Sequence, residues 1–163
     1  MSDINWGNLL FGFSGRINRA KWWLAVLIYV IIGVVAAIIA AVVGETVGNL
    51  VTLAAVIPQI WIALAAGAKR LHDLNRTGAW LVLFVLGPVV LLILFFVIAG
   101  MDVLLALAAG DLDATTLARI GTTGAILSLL WLILAIWALI WFGCLRGTVG
   151  PNQYGPDPLE GKV

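Results

Sequence analysis

Lys69-Arg70-Leu71-His72-Asp73-Leu74-Asn75-Arg76-Thr77-Gly78-Ala79-Trp80 is a polar stretch between two long apolar ones, residues 50–68 and 81–99. It holds the chain's only histidine, three of its nine basic residues and one of its eight acidic ones. An apolar run of about twenty residues is long enough to cross a bilayer. A charged segment between two such runs therefore sits where membrane meets water, joining two spans.

Composition supports the same reading. Apolar residues make up 63% of the 163-residue chain and charged residues 10%, against roughly 45–50% and 25% in soluble domains. A soluble core could not hide that much apolar surface, whereas lipid can. The length suits one integral-membrane domain spanning residues 1–163. Cys144 is alone and His72 is the sole histidine, so neither a disulfide nor a zinc site can be assembled from them. No metal or cofactor is expected. No basic tail points to nucleic acid.

Outward from the polar stretch, four spans emerge. Residues 22–43 carry no charge over 22 positions, about 33 Å of helix against a hydrocarbon core of about 30 Å. Trp22 and Trp23 open that span at headgroup level. The run is too long for the apolar region of a signal peptide. Residues 44–49 read as a tight turn, and 50–68 as the second span, with Pro58 inside it. The third is 81–99, interrupted by Gly87-Pro88, and the fourth 124–143. Between these last two, 101–123 is a long connection that reads either as a short surface helix or as a fraying extension of the third span. Before the first span, Trp6, Leu9, Leu10 and Phe13 fall on one helical stripe, predicting a short interfacial helix. The tail, 144–163, is dense in glycine and proline and cannot be helical. The expected fold is an all-α, polytopic, four-helix membrane protein.

Charge sets the expected orientation. Arg16, Arg19, Lys21, Lys69, Arg70, Arg76, Arg146 and Lys162 lie on one side of the spans; Arg119 alone lies on the other, with Glu45, Asp102, Asp111 and Asp113. Positive residues of short loops stay on the cytoplasmic side. Both termini are therefore expected in the cytoplasm.

Three polar segments then share one face: Phe13-Ser14-Gly15-Arg16-Ile17-Asn18-Arg19 before Trp22-Trp23; Arg70 to Trp80; and Arg146-Gly147-Thr148-Val149-Gly150-Pro151-Asn152-Gln153-Tyr154-Gly155-Pro156-Asp157-Pro158. In this order, between apolar spans, they resemble the YhaH-like bacterial inner-membrane family, domain of unknown function 805. The resemblance covers about residues 6–158. Lys69 stands where that family often has a second arginine and Thr77 where it often has serine, and the third connection is long. The resemblance implies a small multi-span membrane protein and assigns no activity.

The polar residues admit several functions. If the second helix continues beyond the membrane, Lys69, His72, Asp73 and Arg76 share a face, and Asp73 can pair with Lys69 or Arg70. One reading makes them anchors and inter-helix hydrogen bonds that fix the bundle. A sharper one makes Arg16, Arg19, Arg70 and Arg76, with His72 and Asp73, a basic cluster that cradles a phosphate such as an anionic lipid headgroup. Asn152, Tyr154 and Asp157 would form a tail lid over the His72 loop. The expected function is a binding or scaffold module for an anionic headgroup or a partner protein.

Two other classes stay open. A transport or channel subunit would need polar groups at depth, and only Tyr29, Thr52, Gln59 and Ser128 are available. A membrane-interface enzyme would use His72 as a general base, but Asp73 as its helical neighbour is poorly placed to orient it. Catalysis is the least supported of the three. The spacings Gly33-Ala37-Ala41 and Gly124-Ser128 suit close helix packing, and with it a homo-oligomer or a membrane-protein partner.

Overall fold

Asn5 opens the described chain by capping α1 (Trp6–Phe11), its side-chain oxygen accepting the Asn8 N–H at 2.9 Å. The computed structural model describes residues 5–111 and 113–161. The chain divides into two units, residues 1–81 with 141–163, and residues 82–140. Their helices are all-α; among the described residues the β-type pairing is one isolated bridge, between Asn152 and Gly155. Four helices are long and apolar enough to cross a membrane.

In the first unit α2 (Arg19–Val43) and α3 (Glu45–Asp73) form a helical hairpin. Asn18 starts α2 by accepting the Lys21 N–H at 3.0 Å, so helix begins three residues before the apolar run. The turn expected over 44–49 contracts to Gly44 alone. Its φ of +87° is one that a β-carbon disfavours, and Glu45 then sits in α3's first turn, where a negative charge suits the positive end of the helix. Small residues let the two helices approach: a β-carbon at Gly48 would meet the backbone of Ala40, and one at Gly33 the amide of Gln59. Gln59 Nε2 donates to the Tyr29 carbonyl at 3.0 Å. Helix continues through Pro58.

α3 also runs past the apolar segment, burying Ala65 to Leu71 without interruption. Leu9, Ile17, Ala25, Ile62 and Ala66 form the core beside it, covered by Leu10, Trp22, Leu24, Ile28 and Ile32. The helix ends in a Schellman turn. Asn75 takes φ +55°, its N–H bonds the His72 carbonyl at 3.0 Å, and the Arg76 N–H bonds the Leu71 carbonyl at 2.8 Å. Asparagine tolerates this left-handed position better than most side chains. A single 3₁₀ turn, Gly78–Trp80, follows, capped by the Thr77 hydroxyl.

The second unit is built differently. It takes in α4 (Leu81–Ala99) from Val82 onward, α5 (Met101–Ala109), and α6 (Ala114–Leu139). A π turn over Ile140–Cys144 carries the chain back into the first unit at Trp141. The fourth helix starts ten residues earlier than the apolar span at 124 suggests, because Asp113 caps it through the Thr116 N–H at 2.8 Å. The long connection thus resolves into α5, a short link and the first turns of α6. Phe84 meets Trp137 edge-on at 5.6 Å, and Leu134 fills the space over Gly87. Within α4 only Ala99 is buried.

Candidate functional site

Arg16 reaches its place from the coil that follows Gly15, and its side chain is 1% exposed. Every nitrogen is engaged. Nε donates to Asp73 Oδ1 at 3.1 Å, Nη1 to the Gly150 and Gly155 carbonyls at 2.7 and 3.2 Å, and Nη2 to the Thr148 carbonyl and hydroxyl at 2.6 and 3.1 Å. Arg70, 0% exposed, approaches Asp73 from the other side. Its Nη1 donates to Asp73 Oδ2 at 2.6 Å. Its Nε donates to the Phe142 carbonyl at 2.8 Å, and its Nη2 to the Leu145 carbonyl. One carboxylate thus neutralises one of two buried guanidiniums, and backbone carbonyls solvate the rest.

The carbonyls that meet Arg70 are free because a helix end leaves its last acceptors without partners, whereas those that meet Arg16 belong to the tail. Around the π turn, Arg70 takes Phe142 and Leu145, Trp23 Nε1 takes Gly143 at 3.2 Å, and Arg19 Nη1 takes Cys144 at 3.4 Å. Cations at a helix C-terminus also meet the negative end of its dipole. Lys69 plays the same part for α1. Wholly buried, it donates Nζ to the carbonyls of Asn8 and Leu9 rather than to Asp73.

The tail folds onto α3 through bonds to its last residues. The Thr148 N–H and hydroxyl donate to the Asp73 carbonyl at 2.8 and 3.1 Å, and Asn152 Nδ2 donates to the His72 carbonyl at 2.9 Å. Tyr154 lies flat on His72, centroids 4.0 Å apart and planes 5° from parallel. His72 Nδ1 donates to the Gly15 carbonyl at 3.2 Å. All three polar segments therefore meet on one imidazole ring and one carboxylate. Gly147 is required by this closeness: a β-carbon there would overlap the Asp73 carboxylate. Asp157 shapes the turn that follows, accepting the Gly150 and Leu159 N–H groups at 2.9 Å each.

Of the residues singled out in the sequence, Arg16, Arg70, His72, Asp73, Asn152 and Tyr154 are brought together in this clamp. Arg19 and Asp157 stand at its edge, beside a cleft. Arg76 does not join. The shared face expected of Lys69, His72, Asp73 and Arg76 ends at Asp73 because the Schellman turn reverses the chain, leaving the Arg76 side chain exposed. Three contributors were not singled out as site residues: Lys69, Arg146 and Thr148. Arg146 and Thr148 flank the glycine that the carboxylate's position demands.

The cleft has a volume of about 260 Å³ and is lined by Asn18, Arg19, Asp73, Leu145, Arg146, Gly147, Asp157 and Leu159. Arg19 and Arg146 are its exposed cations. Among the described residues no three His, Cys, Asp or Glu side chains come together as metal ligands.

Comparison with known proteins places this arrangement in a family. Residues 10–109 match the family described as "Protein of unknown function (DUF805)". The chain is similar to the inner membrane protein YhaI of Escherichia coli K12, with 38% identity over 153 residues, covering 92% of this chain and 88% of that protein. It is also similar to the uncharacterized protein YiiR of the same strain, 26% identical over 154 residues and covering 94% and 90% of the two chains. No solved structure matches. The clamp residues from Arg16 to Asp73 fall inside the matched segment, and the chain is a multi-span inner-membrane protein of the DUF805 family.

Proposed function

We propose that this protein is a non-catalytic binding module of the inner membrane, with both termini in the cytoplasm and its clamped polar end holding an anionic group. The observation that carries the reading is an open cleft with two exposed arginines, Arg19 and Arg146, beside a buried arginine–aspartate clamp. The bonded arginines hold the shape; the exposed ones are left to bind. The clamp lies where the basic residues of the first, middle and last polar segments gather, the side that positive loops keep in the cytoplasm. The ligand is an anionic lipid headgroup or an acidic surface of a partner protein.

Neither alternative finds comparable support. Gln59, the best candidate for a polar path through the membrane, spends its amide on the Tyr29 carbonyl between packed helices. His72 is covered by Tyr154 and tied at Nδ1, an arrangement suited to holding the tail.

Native mass spectrometry of the full chain, released from mild detergent at rising ionic strength, tests the reading. An anionic lipid or protein should be retained at low salt and shed at high salt, as counterion screening requires. Recovery of bare protein at low salt, together with ion flux in liposomes, would replace the module by a channel subunit.

A further inference from the structure

The clamp arginines are already committed: both side chains are buried, Arg16 makes five hydrogen bonds, and each Arg70 nitrogen has an acceptor. Placing a phosphate on either would require pulling Asp73 away or unseating the tail. The two arginines at the cleft differ. Arg19 makes one side-chain bond, at 3.4 Å, to the Cys144 carbonyl. The Arg146 side chain is exposed and makes no hydrogen bond or ion pair among the described residues. The cleft also contains two carboxylates, and both are occupied. Asp73 lies between Arg16 and Arg70, and Asp157 accepts two backbone N–H groups. The cleft wall itself carries two arginines and two aspartates; the positive excess comes from Arg16 and Arg70 behind it, which hold Asp73 between them.

We propose that this cleft is a phosphate site in which Arg19 and Arg146, rather than the clamp arginines, grip a phosphate monoester or diester. The inference rests on the binding-module reading and names its ligand. A guanidinium presents a planar fork that matches two phosphate oxygens, so two exposed forks lining one cleft suit a phosphate better than a single carboxylate. Leu145 and Leu159 line the same cleft, giving a wall for the uncharged part of an ester. Depth favours the same chemistry. Arg19 opens α2, and Trp22 and Trp23, side chains that settle at headgroup level, follow within its first turns. The phosphate can belong to a membrane lipid or to a soluble ester.

The test uses the full chain in mild detergent. In one arm, inorganic phosphate and glycerol 1-phosphate are titrated by calorimetry. In the other, the protein is mixed with equal amounts of phosphatidylglycerol and phosphatidylcholine, and retained lipid is read by native mass spectrometry. Arg19→Gln/Arg146→Gln should weaken phosphate or phosphatidylglycerol binding about tenfold or more, as loss of charge-assisted bidentate contacts implies. Lys21→Gln/Arg76→Gln removes the same charge away from the cleft and should bind as wild type does. Arg146→Gln alone severs no side-chain bond among the described residues, so its fold is safe, and it should show part of the loss.

Selective retention of phosphatidylglycerol supports a headgroup site, and a response to glycerol 1-phosphate supports a soluble ester. Equal binding by wild type and the Arg19/Arg146 double variant overturns the proposal. So does a wild type that ignores every phosphate probe. If salt-labile capture of a protein persists in that case, the module reading stands with a protein ligand.

Discussion

The two units solve the same problem, packing apolar helices in lipid, by opposite means. In the first, α2 and α3 meet over Gly33, Ala40 and Gly48, close enough that an added methyl group would strike backbone or amide. In the second, α4 and α6 meet through Phe84, Trp137 and Leu134, and almost nothing on α4 is buried. Lipid supplies little hydrophobic drive for helices to associate, so close backbone approach and polar bonds must do that work. The first unit has both, and it carries the clamped polar end. Rigidity and candidate function therefore lie in the same half.

The largest effect should come from the carboxylate on which that end depends. Asp73→Ala leaves Arg16 and Arg70 buried without a counter-charge, and breaking a buried pair in this way costs about 3–5 kcal/mol. Unfolding in detergent should show a loss of that size. A loss below about 1 kcal/mol, typical of an exposed pair, would mean the triad is not a buried ion cluster.

Two glycines sharpen the comparison. Gly147→Ala drives a methyl group into the Asp73 carboxylate, which two arginines hold in place, and overpacking of this kind costs about 1–3 kcal/mol. Gly87→Ala in the second unit meets only the end of the Leu134 side chain, at 2.7 Å, and that side chain can rotate. Its cost should stay below about 1 kcal/mol. Limited proteolysis should find the tail freed in the first variant and protected in the second. Equal losses would show that the units do not differ in rigidity.

The architecture was legible because hydropathy is a sum over many residues. Four spans, their order and the non-helical tail survive any single misreading. Helix ends were less legible, since they depend on one cap each: Asn18, Gly44 and Asp113 all lengthen helices beyond the apolar runs. The site was legible as a set of segments but not as a set of roles. Nothing in Arg16 or Arg70 as letters says that backbone carbonyls would take up their nitrogens, because those carbonyls come from far along the chain: a helix end about seventy residues away for Arg70 and the folded tail for Arg16. Arg76 was misplaced for a local reason: helical spacing was extended through Asn75, where the chain turns left-handed.

Gln59 gives a smaller test. Gln59→Leu removes the bond to the Tyr29 carbonyl, and inter-helix bonds of this kind within membranes average about 0.6 kcal/mol. The close packing at Gly48 and Gly33 should hold the hairpin without it. A loss several times larger would mean that polar bonding, rather than close approach, distinguishes the first unit.

Acid should produce the smallest effect, and it touches both units. Asp157 lies below the ordinary carboxylate range because the Leu159 and Gly150 N–H groups bond its charged form. Asp113 is lowered too, chiefly by its bonds with Thr116. A depressed carboxyl stabilises the fold above its unfolded pKa, and that contribution fades as pH falls through the lower folded value. Amide chemical shifts of Gly150, Leu159 and Thr116 should therefore inflect below the ordinary range, and Asp157→Asn should abolish the first two inflections alone. Both carboxylates are exposed caps, so acid should loosen the tail's turn in one unit and the first turn of α6 in the other. The hairpin contacts at Gly33 and Gly48 carry no titrating group and should persist. If the amides facing Ala40 shift together with Gly150, the tail and the hairpin form one cooperative element, and the rigidity of the first unit comes from the clamp as much as from close packing.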